Sequence, residues 1–126
     1  MFDNAELIFS YTRKQAIADG VLIDVTVTAR EAGIKFPVAL TAAARAKCVA
    51  VPPGVQCQDE AGRLWDVLWV FRSAARNANG QTLFFAVHVR DGNRRGVPPL
   101  VRLKAVCGPG DDAAPVVTIM LPDEGA

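Results

Sequence analysis

The sequence predicts an α+β domain in which a C-terminal three-stranded antiparallel meander packs on one long helix, preceded by an N-terminal strand–helix–strand unit. Two observations carry this. Residues 62–77 repeat apolar side chains at helical spacing, whereas the last third alternates apolar and polar residues in three short runs divided by glycine and proline. A chain of 126 residues suits a single domain spanning 1–126, and 51% hydrophobic residues suffice for a buried core.

The run ELIFSY, Glu6 to Tyr11, is short, apolar and aromatic, and reads as a first strand. Thr12 and Gln15 then form a T-x-x-Q capping box that opens a short helix through Asp19, closed by Gly20. VLIDV follows as a second strand, and a short helix is expected from Thr28 to Ala32, ended by Gly33. FPVALT reads two ways, because Pro37 is excluded from a central ladder unless it starts the strand. Thr41 caps an alanine-rich turn from Ala42 to Val49, and VPPGVQ is a loop.

From Gly62 the stripe Leu64, Leu68, Phe71 and Ala75 defines the main helix, with Arg63, Asp66, Ser73 and Asn77 facing water. Trp65 and Trp69 stand beside the stripe; the spacing is that of core packing more than of a ligand wall. Asn79-Gly80 ends the helix. The three strands of the meander are Thr82 to Arg90, Leu100 to Val106 and Val116 to Leu121, linked too closely for parallel crossovers.

The segment Cys107-Gly108-Pro109-Gly110-Asp111-Asp112 resembles a ligand loop only superficially. A phosphate loop needs a helix N-terminus and usually a lysine after it, and a calcium loop needs alternating oxygen ligands with a closing glutamate. Here a β-branched strand follows. The expected structure is a wide hairpin turn, with positive φ at Gly108 and Gly110 and two solvated acids. A Cys107 nucleophile would require His88, the single histidine, from the adjacent strand. No catalytic residue, cofactor or metal site is assigned: Cys48, Cys57 and Cys107 are an odd set without CxxC, which fits free thiols of a reducing compartment.

Lysine plus arginine number 14 against 13 acids, a net charge of +1 that argues against a dedicated nucleic-acid binder or an acidic mimic of one. The N-terminus lacks a basic n-region followed by a long apolar core. No apolar run approaches the roughly 20 residues of a bilayer span. The expectation is a soluble, cytoplasmic protein without a membrane partner.

Strand alternation places Leu83, Phe85, Val87 and Val89 on one side of the meander and Phe84, Ala86, His88 and Arg90 on the other. With matching registers, His88, Arg90, Arg102, Lys104 and Thr118 share a face, and the loop RDGNRRG adds Arg94 and Arg95. His88, Arg90, Arg94, Arg95, Arg102 and Lys104 are therefore the candidate partner-binding residues, suited to an acidic protein surface or a nucleic-acid backbone. Successive hairpin loops put this basic pole and Asp111-Asp112 at opposite ends.

The blocks LIFSYTRKQAIADGVLIDV, AREAG, QDEAGRLWDVLWV and LKAVCGPGDD…VVTIMLPDE, in this order along nearly the whole chain, resemble a domain family of unknown function carried on bacterial plasmids, integrative elements and phages. The resemblance supplies no catalytic residues. It implies a small accessory protein that binds a host protein or protein–nucleic acid complex by occlusion, as anti-CRISPR and anti-restriction inhibitors do. Two alternatives belong to other classes. One is a degenerate ADP-ribosyltransferase-like nucleotide-binding enzyme, since IFSYTRKQAIADGVLIDV looks like the opening of that fold, with Tyr11, Thr12 and Arg13 at the cofactor end and no evident late-strand glutamate. The other is a nucleic-acid-binding accessory protein using the basic face.

Overall fold

In the computed structural model, residues 11–78 and 80–124 are described. Most of the expected first strand, up to Ser10, and Asn79 lie outside them; Tyr11 itself is in a bend. The architecture is α+β, but the sheet is larger than a three-stranded meander. Among the described residues it has five strands in the order β1-β2-β5-β4-β3: β1 Leu22–Asp24, β2 Val38–Thr41, β3 Thr82–His88, β4 Leu100–Pro109 and β5 Pro115–Met120. The helices among the described residues are α1 Arg13–Ala18, α2 Thr26–Glu31, α3 Ala42–Cys48 and α4 Glu60–Ala75. The antiparallel run β3-β4-β5 is present, but β5 also pairs in parallel with β2, so the sheet is mixed. No described helix is long and apolar enough to cross a membrane.

Helix ends follow local chemistry. Thr12 caps α1, its side chain accepting from the Gln15 N–H while the Gln15 side chain accepts from the Thr12 N–H, and Gly20 leaves the helix at φ +78°. Thr41 caps α3 by accepting from the Ala44 N–H. Helix α4 starts two residues earlier than the apolar stripe suggests, because Asp59 caps it by accepting from the Gly62 N–H.

Pro37 resolves the ambiguity of FPVALT. It stands just before β2, where its missing N–H costs no ladder bond, and its carbonyl accepts from the Val117 N–H at 2.9 Å. Strand β2 lies inside the sheet, between β1 and β5, and Val38, Ala39 and Leu40 are buried. The parallel β2–β5 contact requires a crossover, which α3 and α4 provide in the chain between them.

One sheet face carries Val38, Leu40, Phe85, Val87, Leu103, Ala105, Val117 and Ile119 against Ala29 of α2, Cys48 of α3 and Val67, Leu68 and Phe71 of α4. Phe71 meets Phe85 with ring centroids 5.8 Å apart, in a tilted arrangement favoured by the aromatic quadrupole.

The buried arc of α4 is rotated from the stripe read in sequence. Arg63, expected to face water, is only 6% exposed, and its neighbours Val67 and Phe71 are buried with it. Helices α2 and α3 pack against this flank of α4. Arg63 donates from Nε to the Cys48 carbonyl and from Nη1 to the Arg90 carbonyl, both at 3.1 Å. It thereby satisfies a carbonyl at the C-terminal end of α3, where the helix dipole also favours a cation.

Candidate functional site

The outer sheet face is half covered. Helix α1 lies over its β1–β5 side: Arg13 donates from Nη1 to Thr118 Oγ1 at 2.6 Å and from Nη2 to the Val117 carbonyl at 2.8 Å. Burial lowers the Arg13 pKa, partly offset by the charges of Asp24 and Asp111. The C-terminal turn closes the next part, where the Glu124 carboxylate accepts from Thr41 Oγ1 and from the Leu121 N–H, each at 2.7 Å.

Farther along β3 and β4 the face exposes Phe84, His88, Leu100 and Arg102. His88 is in register with Leu100, Ala86 with Arg102, and Phe84 with Lys104. Phe84 is 50% exposed and Leu100 62%. The Arg102 guanidinium lies 5.4 Å from the Phe84 ring centroid, a cation–π contact. His88 Nδ1 is 2.8 Å from the Pro98 carbonyl, an acceptor, so this nitrogen carries the hydrogen.

Two of the candidate cations are committed elsewhere. Lys104 is on the expected face but only 9% exposed, with Nζ donating to the Glu124 carbonyl at 2.7 Å. Arg90 folds back into its own loop and donates to the carbonyls of Arg94 and Gly96. His88, Arg102, Arg94 and Arg95 remain exposed. Asn93 pins the loop from its other side, donating to the Gly54 carbonyl at 2.7 Å and accepting from the Gln56 N–H at 2.8 Å. Arg90, Arg94 and Arg95 line a cleft of about 570 Å³ in which Asp91 is the acid. The arginines are therefore presented on a braced loop.

The CGPGDD turn lies at the other end of β4, as expected, but its chemistry differs from the expectation. Gly108 and Gly110 do not take positive φ; Ala113 does, at +69°. Gly110 is needed for space, since a Cβ there would approach Val116 Cγ1 to 2.9 Å. Asp111 is not a solvated bystander. Its Oδ1 accepts from the Arg13 N–H at 2.8 Å and its Oδ2 from the Lys14 N–H at 3.0 Å. Those hydrogen bonds lower its pKa.

The other chemical candidates separate. Cys107 pairs with Val117 toward the C-terminal end of β4, on the face that carries Leu103, whereas His88 is on the opposite face beside Leu100; they form no catalytic pair. Tyr11 donates to Asp19 at 2.9 Å, Thr12 is a cap and Arg13 is occupied by β5, so the three residues expected at a nucleotide end hold α1 in place. Among the described residues no group of histidine, cysteine, aspartate or glutamate could hold a metal ion.

The profile of a family of unknown function (DUF6573) matches residues 1–125. The chain belongs to that family. No curated protein and no solved structure matches this DUF6573 chain.

A second surface went unread in sequence. Trp65 and Trp69 of α4 are not core residues: they are partly exposed and stacked on each other, with centroids 6.1 Å apart and planes at 12°. Arg72 lies 5.3 Å from the Trp69 ring centroid. The signal available was the arc itself: centring it on Val67 and Phe71 brings Arg63 inside and leaves both tryptophans out.

Proposed function

We propose that this DUF6573 protein is a binding protein of a bacterial mobile element that acts by occlusion, docking its outer β3–β4 face and Arg94–Arg95 loop onto an acidic surface of a host defence complex. The observation that carries this reading is the exposed Phe84–Arg102 stack beside Leu100, flanked by His88 and continuous with the braced arginine loop. Apolar centre and cationic margin are what a docking surface needs: the aromatic supplies contact area, and the arginines supply orientation and encounter rate. The loop is already held by Arg90 and Asn93, which reduces the ordering cost of binding. The mobile-element setting and the anti-CRISPR or anti-restriction role are what the sequence resemblance implies.

Phage plating tests this in a host carrying a CRISPR or restriction system. Expression of the chain should restore plating of a targeted phage, and Phe84→Ala with Arg94→Glu and Arg95→Glu should abolish the rescue. Absence of rescue in both systems by the folded protein removes the reading, and undiminished rescue by the triple variant removes the surface.

A direct contact with single-stranded nucleic acid is a second reading, favoured by the same Phe84–Arg102 pair, since stacked bases are gripped by aromatics interleaved with cations. A flat anisotropy titration of a labelled oligonucleotide at low salt eliminates it.

A further inference from the structure

We infer that the cleft between the C-terminal end of α4, the Gly33–Phe36 segment and the start of β3 is a binding site for a small amphipathic carboxylate. The cleft has a volume of about 360 Å³, and its floor is apolar: Phe71, Leu83, Ala105 and Val117, with Cys107 beside them. Among the described residues that line it are three cations, Lys35, Arg72 and Arg76, and no aspartate or glutamate. A cavity of this size with apolar walls and a few convergent polar groups is the usual form of a small-molecule site.

Arg72 is the group that specifies the ligand. One side of its guanidinium is stacked toward Trp69, 5.3 Å from the ring centroid. The guanidinium also lies close to Gly33, where a Cβ would come within 2.8 Å of Arg72 Nε. Gly33 sits at φ +90°, so the absence of a side chain both ends α2 and makes room for the guanidinium. Arg72 has no side-chain hydrogen-bond acceptor and no ion-pair partner among the described residues; the ion pair found among them is Arg45–Glu60. A planar fork lining an apolar cleft matches a carboxylate, which can take two parallel N–H donors while its tail replaces water over Leu83 and Phe71. An alcohol lacks the charge and a cation is repelled. The site lies at the end of the β3–β4 hairpin remote from the Arg94–Arg95 loop.

Calorimetry with decanoate, decanol and decyltrimethylammonium, the two ions below their micelle concentrations and the alcohol below its solubility limit, tests the assignment on the intact protein. Decanoate should bind one-to-one, about tenfold or more tightly than decanol given the charge-assisted bonds, and the cation should give no heat. Arg72→Gln should bring decanoate to the level of decanol, while Arg94→Glu with Arg95→Glu leaves it unchanged. A readout that needs no cleft variant is alkylation of Cys107 in a Cys57→Ser background, which saturating decanoate should slow. Equal affinity for decanoate and decanol, no decanoate binding, or an unchanged rate of Cys107 alkylation overturns the proposal.

Discussion

The Asp111 carboxylate accepts a hydrogen bond from the backbone N–H of Arg13 at 2.8 Å, and the Arg13 side chain returns to Thr118 at 2.6 Å. A turn between two strands thus caps a distant helix, and that helix's first residue clasps the following strand. The first N–H groups of a helix have no partner within it, so a carboxylate there satisfies an orphan donor and meets the positive end of the dipole.

Asp111→Asn should therefore destabilise the fold at neutral pH, and Asp112→Asn should do so less, because Asp112 serves only the Ala114 N–H at 3.2 Å within its own turn. The pH dependence has a fixed sign. Asp111 is depressed in the folded state from an ordinary value of 3.8, so its contribution is fully present above that pH and is lost as pH falls through the lower folded value. Urea denaturation should show a larger gap between wild type and Asp111→Asn at pH 7 than at pH 3. A gap independent of pH would contradict the charged interaction.

Phe71→Ala removes the aromatic that meets Phe85 beneath the sheet. The expected loss is about 3–5 kcal/mol, the range for truncating a core aromatic. Near-wild-type denaturant midpoints would show that α4 docks by a different face.

Arg63→Ala should cost about 1–3 kcal/mol, because two carbonyls, of Cys48 and Arg90, lose their donor inside the fold. Arg63→Lys should not restore the loss, since one ammonium cannot reproduce a fork aimed at two separate acceptors. Full rescue by lysine would show that charge alone is what the site uses.

Reversing Arg94 and Arg95 to glutamate should change stability by no more than about 0.5 kcal/mol, as for exposed side chains whose loop is held by other residues. Partner binding, measured in the same variant, should weaken and lose salt sensitivity.

Thiol labelling at pH 8 should proceed in the order Cys57, Cys107, Cys48. Cys57 is exposed, Cys107 is half-buried, and Cys48 is buried with its thiol pushed up to about 11 by desolvation. Under denaturing, non-reducing conditions all three should react.

Features that depend on residues a few positions apart were legible in the sequence itself. The Thr12–Gln15 box, the Thr41 cap and the Gly20 and Gly33 exits were all read there, because a cap is a bond within one turn. Alternation in Thr82–His88 likewise placed Phe85 and Val87 inward and Phe84 and His88 outward, since strand side chains change face at every residue.

The sheet order, the burial of Arg63 and the role of Asp111 depended on contacts that no local pattern encodes. Val38–Thr41 carries no mark that its parallel neighbour is Val117 to Ile119; that pairing follows from burying β2 between two strands distant in sequence. Lys104 and Arg102 are alike in alternation, yet the C-terminal turn covers one and leaves the other in solvent. Local sequence determined where helices stop and which way strand residues point, because those depend on covalent spacing. Only tertiary structure decided which surfaces stayed open, because exposure is set by whatever the rest of the chain leaves uncovered.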